Sequence, residues 1–246
     1  MKKKLSDILI NRGLAQDEKS ALALVMAGYV YTDEGKCLNK IGGIYYDDIN
    51  LTLKLPKNHK WVSRAAIKLD HALKIFNLEI KNMIAIDIGC STGGFTQVLL
   101  EYGANKVYAV DVAYGEIDWR LRNNSKIHLL ERTNARYLTS SHIPELVDLI
   151  VCDASFIGLT TVIYAAMKLT KEQATLVALI KPQFEVAKDE VGKGGIVRDA
   201  HLHQIVINRI KSWFNEQNGW CVQEVIESPI TGMEGNKEFL IMVTKN

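Results

Sequence analysis

The sequence predicts an α/β protein, built on a mostly parallel seven-stranded sheet and preceded by a small α+β domain. Two patterns in its 246 residues lead to this expectation. Beyond about residue 60, short apolar runs typical of buried strands alternate with stretches of helical periodicity. Before that point, the spacing indicates two short helices followed by short strands. We therefore expect a small domain at residues 1–59 and a large domain at residues 60–246.

The small domain should open with a helix whose apolar stripe includes Leu5, Ile8 and Leu9. Asp17 is a suitable N-cap for a second helix. Glycines should end both helices, because glycine readily adopts the left-handed conformation found there. The remaining predicted features are the two helix ends at Gly13 and Gly28, strands at Tyr29–Thr32 and Ile49–Leu55, a turn at Asp33–Lys36 and a polar linker at Pro56–Lys60.

The large domain should begin with a helix capped by Ser63 and reaching about Phe76, with Lys68 on its polar face. Alternation then predicts seven strands, at Met83–Ile88, Lys106–Val110, Ile127–Leu130, Leu146–Val151, Thr175–Ile180, Val222–Ile226 and Phe239–Thr244. Further helices are expected near Gly94–Tyr102, Leu159–Leu169 and Leu202–Gln217. Parallel sheets of this kind bind ligands beyond the carboxyl ends of their strands.

Composition and charge narrow the class of protein. The four cysteines are well separated and form neither a disulfide framework nor a metal-binding motif. We therefore expect a protein of a reducing compartment that binds no metal. No apolar run approaches the roughly 18 residues of a membrane span, so we expect a cytoplasmic protein without a membrane partner. The first 60 residues carry ten basic and seven acidic side chains, a balance of +3 (10 − 7). That excess suits a polyanion partner, and a solubilising Lys2–Lys4 tail explains it equally well.

A glycine-rich turn, Ile86–Phe95, runs directly from the first strand of the large domain into a helix. Glycines allow a close backbone approach to a ligand, and a helix start presents free N–H groups. Asp111 ends the next strand, where a carboxylate can accept the ribose hydroxyls of an adenosine. The turn lacks the G-x-G-x-x-G spacing of NAD sites and the lysine of a P-loop. A purely structural turn is the alternative.

Charged side chains are expected at the same edge of the sheet. Asp153 follows the fourth strand, Lys181 follows the fifth, and Glu238 begins the last one. Lys68 could join them from the first helix of the large domain. Taken singly, Lys68 suits a solvated helix face and Glu238 an exposed strand position. Opposite charges converging at the ligand edge, as Asp153 and Lys181 should, indicate a reaction centre instead.

Several motifs together resemble the TlyA family, often labelled haemolysin, which belongs to the FtsJ-like RNA ribose methyltransferases. The motifs are Trp61–Leu69, D-I-G-C-S-T-G-G-F, K-P-Q-F-E, G-N-K-E-F and Gly192–Asp199. The resemblance implies a Rossmann-like methyltransferase fold, S-adenosylmethionine as cofactor, and ribosomal RNA in ribosomal subunits as partner. It also implies that the small domain is an RNA-binding fold shared with a ribosomal small-subunit protein.

By the same resemblance, Lys68, Asp153, Lys181 and Glu238 correspond to a catalytic tetrad. We hypothesise that Lys181 is the base, since a neighbouring cation or desolvation can lower the pKa of a lysine. Asp153 would orient it, while Lys68 and Glu238 would position the ribose. Candidate cofactor-binding residues are Asp87, Gly89, Ser91, Thr92, Gly93, Gly94, Phe95, Asp111 and Asn134. Candidate RNA-binding residues are Arg12, Lys19, Lys36, Lys40 and Arg64.

Other functions compete with this one. The haemolysin label suggests a pore-forming or membrane-active protein, which would need a membrane-active segment. An assembly factor could keep the fold without chemistry, although the four charged residues argue against it. A small-molecule methyltransferase would leave the small domain without a purpose. Methylation of a base amine is disfavoured, because Asp153–Phe156 reads D-A-S-F where amine-directed enzymes carry an N-P-P-Y-like turn.

Overall fold

A computed structural model describes residues 1–15, 17–26, 28–40, 42–53, 61–232 and 235–246. The chain forms two compact units, Met1–Lys60 and Trp61–Asn246. The predicted linker, Pro56–Lys60, and the expected boundary at residues 59 and 60 lie outside the described residues, as does the end of the predicted strand at Leu55.

The small unit contains two helices, α1 (Leu5–Asn11) and α2 (Glu18–Met26). Its four strands are β1 (Lys2–Lys4), β2 (Val30–Thr32), β3 (Ile44–Tyr46) and β4 (Leu51–Leu53). The antiparallel pairs are β1 with β3 and β2 with β4. Its core is formed by Leu5, Leu9, Ala21, Val25, Val30 and Leu38. The sequence analysis did not predict β1 or β3. Lys2–Lys4 form a strand paired with β3 rather than a free tail.

The predicted cap of α2 is present. The carboxylate of Asp17 accepts a hydrogen bond from the Ser20 backbone N–H at 2.7 Å. This bond satisfies one of the N–H groups that the first turn of a helix leaves without a partner.

The large unit is organised around one seven-stranded sheet with the order β10-β11-β9-β8-β5-β6-β7. Its strands are β5 (Ile84–Ile88), β6 (Lys106–Val110), β7 (Ile127–Leu130), β8 (Val147–Cys152), β9 (Thr170–Ile180), β10 (Trp220–Glu227) and β11 (Phe239–Lys245). Strands β5 to β9 run parallel, whereas β11 is antiparallel to β9 and β10. The prediction of a mostly parallel sheet is confirmed. Because β11 is reversed, its start lies at the edge where β8 and β9 end.

Helices cover both faces of the sheet. They are α3 (Ala65–Ile75), α4 (Gly94–Glu101), α5 (Trp119–Arg122), α6 (Leu159–Met167) and α7 (Ala200–Asn215). Successive side chains of a strand point to opposite faces. In β8, Leu149 and Val151 therefore pack with α3 and α4, whereas Ile150 and Cys152 pack with α6 and α7. Short 3-10 turns follow β7 and β9, at Ala135–Tyr137 and Pro182–Phe184.

Two expectations for α3 were wrong. Ser63 does not cap the helix, which begins at Ala65 after an Arg64 that makes no capping bond. The Ser63 hydroxyl instead packs against Gly94, where an added Cβ would lie 2.3 Å from Oγ. Lys68 is not on a solvated face, since it is only 7% exposed whereas neighbouring Ile67 is 40% exposed. A lysine is buried in this way when its charge has partners, as Lys68 does here.

Among the described residues, no helix is both long enough and apolar enough to span a lipid bilayer.

Candidate functional site

The glycine-rich turn joins β5 to α4 through two glycines in the left-handed region. Gly89 has a φ of 78°, and Gly93, the N-cap residue of α4, has a φ of 91°. A Cβ on Gly89 would lie 2.9 Å from the Ala154 Cα, which is closer than real side chains approach. Glycine is thus required here for two reasons, the backbone conformation and the approach of the chain that follows β8.

Asp111 follows β6 and accepts a hydrogen bond from the glycine-rich turn. Its carboxylate accepts hydrogen bonds from the backbone N–H groups of Ser91 at 2.8 Å and Ala113 at 2.9 Å. A carboxylate has about four acceptor positions, so both oxygens can accept further hydrogen bonds. Asn134 follows β7 and caps the next 3-10 turn, with its side-chain oxygen 3.1 Å from the Arg136 N–H. Both residues lie where a ligand of the parallel sheet is expected.

Behind the turn, Asp87 is fully buried. One carboxylate oxygen accepts a hydrogen bond from the Thr96 hydroxyl at 2.6 Å, and the other has no hydrogen-bond partner. Burial raises the pKa of Asp87 to about 7, with smaller contributions in the same direction from the charges of Asp153 and Asp111. Asp87 therefore lies beneath the turn in the protein interior, where it binds Thr96 of α4.

The other predicted cofactor residues are not all placed alike. Ser91 and Thr92 are exposed on the turn, and Gly94 is buried against Ser63. Phe95 is 2% exposed and packs in the apolar cluster between the sheet and α3 and α4. Its ring faces the core rather than a ligand, and cofactor binding by Phe95, through its backbone, stays a prediction. The residue starts a helix, and its aromatic ring follows the apolar face.

The four charged residues predicted at the carboxyl edge lie together. Lys68 Nζ is 2.6 Å from Glu238 Oε2 and 3.7 Å from Asp153 Oδ2. Lys181 Nζ is 2.7 Å from Asp153 Oδ1. Their side chains are between 3% and 12% exposed. We call these four residues the charged tetrad; its order is Lys181, Asp153, Lys68, Glu238.

The tetrad pairs two buried cations with two buried carboxylates. Its formal charges cancel, which reduces the desolvation penalty that an unpaired buried charge would carry. Asp153 is the shared member, because it contacts both lysines. Removing its charge would therefore leave Lys181 without an anionic contact and Lys68 with only Glu238.

Lys181 is fixed by two directed hydrogen bonds. Its Nζ donates to the Asp153 backbone carbonyl at 3.1 Å and to Ser155 Oγ at 2.8 Å. Its contact with Asp153 Oδ1 has the distance of an ion pair but lacks hydrogen-bond geometry. An ammonium group has three donors, so these two bonds orient it while leaving one N–H without a directed acceptor.

Glu185 anchors the segment that follows Lys181. Its carboxylate accepts a hydrogen bond from the Leu159 N–H at the start of α6, at 2.6 Å, and pairs with Arg209 of α7 at 3.1 Å. Burial raises the pKa of the Glu185 carboxyl. Glu185 of K-P-Q-F-E thus ties the segment after β9 to two helices, α6 and α7.

Sequence reasoning missed Phe156. Its side chain is 84% exposed, its φ is 65°, and its ring lies 5.1 Å from that of Phe184. A bulky residue seldom adopts the left-handed region, and such strain collects at functional sites. The residue lies three positions after Asp153, at the same edge as the charged tetrad. An exposed aromatic in D-A-S-F, directly after a strand, was the available signal.

A second missed feature is a pair of arginines stacked on exposed tyrosines, which we call the arginine–tyrosine surface. The Arg132 guanidinium lies 4.4 Å from the ring centre of Tyr114, and that of Arg136 lies 5.3 Å from Tyr137. The tyrosines are 65% and 66% exposed. These residues belong to the loops that follow β6 and β7, as do Asp111 and Asn134. Cations combined with exposed rings suit a nucleic acid.

The predicted RNA-binding residues of the small unit differ in availability. Arg12 donates to the backbone carbonyls of Ile49 at 2.7 Å and Asp47 at 2.5 Å, so its guanidinium binds its own unit. Lys19, Lys36 and Lys40 are exposed. In the large unit, Arg64 is exposed as well.

Comparisons with known proteins agree with this geometry. A family model described as FtsJ-like methyltransferase matches residues 61–245. The chain is 42% identical to the 16S/23S rRNA (cytidine-2'-O)-methyltransferase TlyA of Mycobacterium tuberculosis, over 95% of this chain and 86% of the relative. It is 35% identical to Hemolysin A of Brachyspira hyodysenteriae, over 96% and 98%. A solved structure from Streptococcus thermophilus has a TM-score of 0.76 at 36% identity, covering 100% of this chain and 89% of the other.

Proposed function

The chain belongs to the family of FtsJ-like methyltransferases, and from that membership we propose that it methylates a ribose 2′-hydroxyl of ribosomal RNA. The methyl donor is S-adenosylmethionine. The observation that carries the proposal is the charged tetrad, buried at the carboxyl edge beside the glycine-rich turn. Lys181 of the tetrad is oriented by Asp153 and Ser155.

The residues around the glycine-rich turn suit an adenosine-containing donor. Asp111 has unused acceptor positions for ribose hydroxyls, and Gly89 places no side chain between the turn and Ala154. Asn134 lies on the neighbouring loop. When bound, the donor supplies an activated sulfonium methyl group. The residues of the turn bind and orient the donor next to the tetrad.

The tetrad serves the acceptor. A ribose hydroxyl is weakly acidic, so its attack is helped by a base and by alignment with the methyl group. Lys181, in its neutral amine form, takes the hydroxyl proton as the ribose oxygen bonds to the methyl carbon, and Asp153 holds the lysine in place. Lys68, kept by Glu238 and Asp153, positions the ribose. The chain after β8 reads D-A-S-F rather than the N-P-P-Y-like turn of amine-directed enzymes, which favours a ribose over a base amine.

RNA is the partner that the surface features support. Phe156 offers an exposed ring for a base to stack on, close to the tetrad. The arginine–tyrosine surface can contact phosphates and bases beside the donor. Lys36 and Lys40 of the small unit are further candidates for phosphate contacts. Since the relatives with assigned reactions are named for 16S and 23S rRNA, we propose folded ribosomal subunits in the cytoplasm as the substrate.

The proposal is tested with purified ribosomal subunits, the purified chain and labelled S-adenosylmethionine. We expect label in one or a few nucleotides, resistant to alkaline cleavage on the 3′ side as a 2′-O-methyl group is, and absent with the Asp111→Ala variant. Label on a base, or lysis of red cells that is unaffected by Asp111→Ala, would contradict the proposal. The second outcome would favour the membrane-active function suggested by the name of the Brachyspira relative.

A further inference from the structure

The carboxylate of Glu238 lies between Lys68 and Gly232. One carboxylate oxygen, Oε2, contacts Lys68 Nζ at 2.6 Å. On the other side, Gly232 packs so closely that an added Cβ would lie 2.0 Å from Oε1 and 2.6 Å from Cδ of Glu238. Glu238 is 3% exposed. The space that its carboxylate occupies thus exists only because residue 232 is glycine.

The backbone around Gly232 is held in place independently of that contact. The Gly232 N–H donates to the Asn236 carbonyl at 2.8 Å, and the Ser228 N–H donates to the Glu238 carbonyl at 2.9 Å. Asn236 is 3% exposed, and its side-chain amide bonds to the backbone of Gly195 at 2.9 Å and of Val197 at 3.0 Å. The chain at Gly232 therefore cannot simply retreat from Glu238.

We propose that Gly232 is a positioning residue for methyl transfer, because its bare backbone holds the Glu238 carboxylate against Lys68. The inference rests on the proposed function and deepens it. An alanine at position 232 would push the Glu238 carboxylate away from Lys68. Lys68 would then keep only Asp153, at 3.7 Å, and the side of the tetrad that positions the ribose would be lost.

Gly232→Ala should slow methyl transfer rather than prevent folding. The φ of Gly232 lies outside the left-handed region, so alanine is compatible with the backbone. The atoms in the way are the end of a flexible side chain, which can rotate aside. We therefore expect Gly232→Ala to fold, to bind S-adenosylmethionine within about 2-fold of the wild type, and to transfer methyl about 100-fold more slowly, the usual cost of misplacement by about 1 Å.

A double-variant cycle isolates the contact. Glu238→Ala removes the carboxylate with which the new Cβ would collide. If Gly232 acts through Glu238, then Gly232→Ala combined with Glu238→Ala should match the single-turnover rate of Glu238→Ala alone to within about 2-fold and should melt at the same or a slightly higher temperature. Thr231→Ala, an exposed change in the same loop, is the control and should behave as wild type.

Three results would overturn the inference. They are a wild-type rate for Gly232→Ala, a rate loss that is additive with Glu238→Ala, or a loss of donor affinity that accounts for the slower reaction. If Gly232→Ala fails to fold, the double variant must recover the stability of Glu238→Ala, and failure to do so overturns the inference too. The melting temperatures test the contact even if the wild type methylates no RNA, so the two proposals can fail separately.

Discussion

Asp153 lies between the two buried lysines of the site, with Lys181 Nζ 2.7 Å from one carboxylate oxygen and Lys68 Nζ 3.7 Å from the other. Its charge is therefore shared by both lysines. Asp153→Asn keeps the shape of the side chain but leaves two buried cations with one carboxylate. We expect the free energy of unfolding to fall by about 3 kcal/mol.

Urea unfolding measures this loss, and Glu227→Gln is the matched control. Glu227 pairs with Lys237, but both side chains are more than half exposed, at 55% and 53%. Removal of that charge should cost less than about 1 kcal/mol. Equal losses in the two variants would show that the tetrad is not a buried ion network.

Asp87 should make stability depend on pH. Its pKa is raised to about 7 in the folded protein from an ordinary value of 3.8, mainly by burial. The folded state therefore holds a proton that the unfolded state has released, and stability falls as pH rises from about 4 to about 7. Compared with wild type, Asp87→Asn should gain about 3 kcal/mol in stability between pH 5 and pH 8.

The measurement is urea unfolding of both proteins across that pH range. Asp189→Asn, at an exposed position, serves as the control and should follow the wild-type curve. A constant difference between Asp87→Asn and wild type at all pH values would show that Asp87 titrates normally.

Gly89→Ala should weaken donor binding through the approach of Ala154. The variant suffers both an unfavourable φ of 78° and a Cβ placed 2.9 Å from the Ala154 Cα. Gly115→Ala is a close match, since Gly115 has a φ of 77° and nothing within 4 Å of the added Cβ. Calorimetric titration with S-adenosylmethionine should give at least about 10-fold weaker binding for Gly89→Ala than for Gly115→Ala. Similar affinities would contradict the role of the close approach.

Phe156→Ala should impair RNA use and leave donor binding intact. Stacking of a base on an aromatic ring contributes about 1–3 kcal/mol, so kcat/KM for ribosomal subunits should fall by about 5- to 150-fold. Phe156→Tyr keeps the ring and should remain active. Phe156→Gly should lose the same activity yet gain about 1 kcal/mol in stability, because it relieves a φ of 65°. Full activity of Phe156→Ala would exclude stacking.

Much of the fold could be predicted, because it depends on local patterns. The seven strands of the large unit follow apolar runs that a parallel sheet buries on both faces. Strands β1 and β3 escaped notice, although the predicted strands β2 and β4 are no longer than they are. Lys2–Lys4 in particular has no apolar side chain, and it becomes a strand only by pairing with Ile44–Tyr46.

The site was predictable only where a motif marked it. The ends of the predicted strands placed Asp153 and Lys181 at one edge of the sheet. Nothing in the local sequence distinguishes a buried Lys68 from a solvated one, because its partners are 85 and 170 positions away (153 − 68 and 238 − 68). Gly232 was missed although Glu238 is only six positions away (238 − 232), because its importance lies in the space it leaves for that side chain. The direction of the Phe95 ring was equally hidden, because an aromatic beside a ligand turn can face either the ligand or the core.

Mapping methyl groups on ribosomal RNA by mass spectrometry tests whether Lys181 removes the proton from a ribose hydroxyl. Subunits incubated with wild type and S-adenosylmethionine should gain a ribose 2′-O-methyl group. With Lys181→Ala the methyl group should be absent, while calorimetry shows donor affinity within about 2-fold of wild type, as expected of a residue that acts in the transition state. Undiminished ribose methylation by Lys181→Ala would contradict the account.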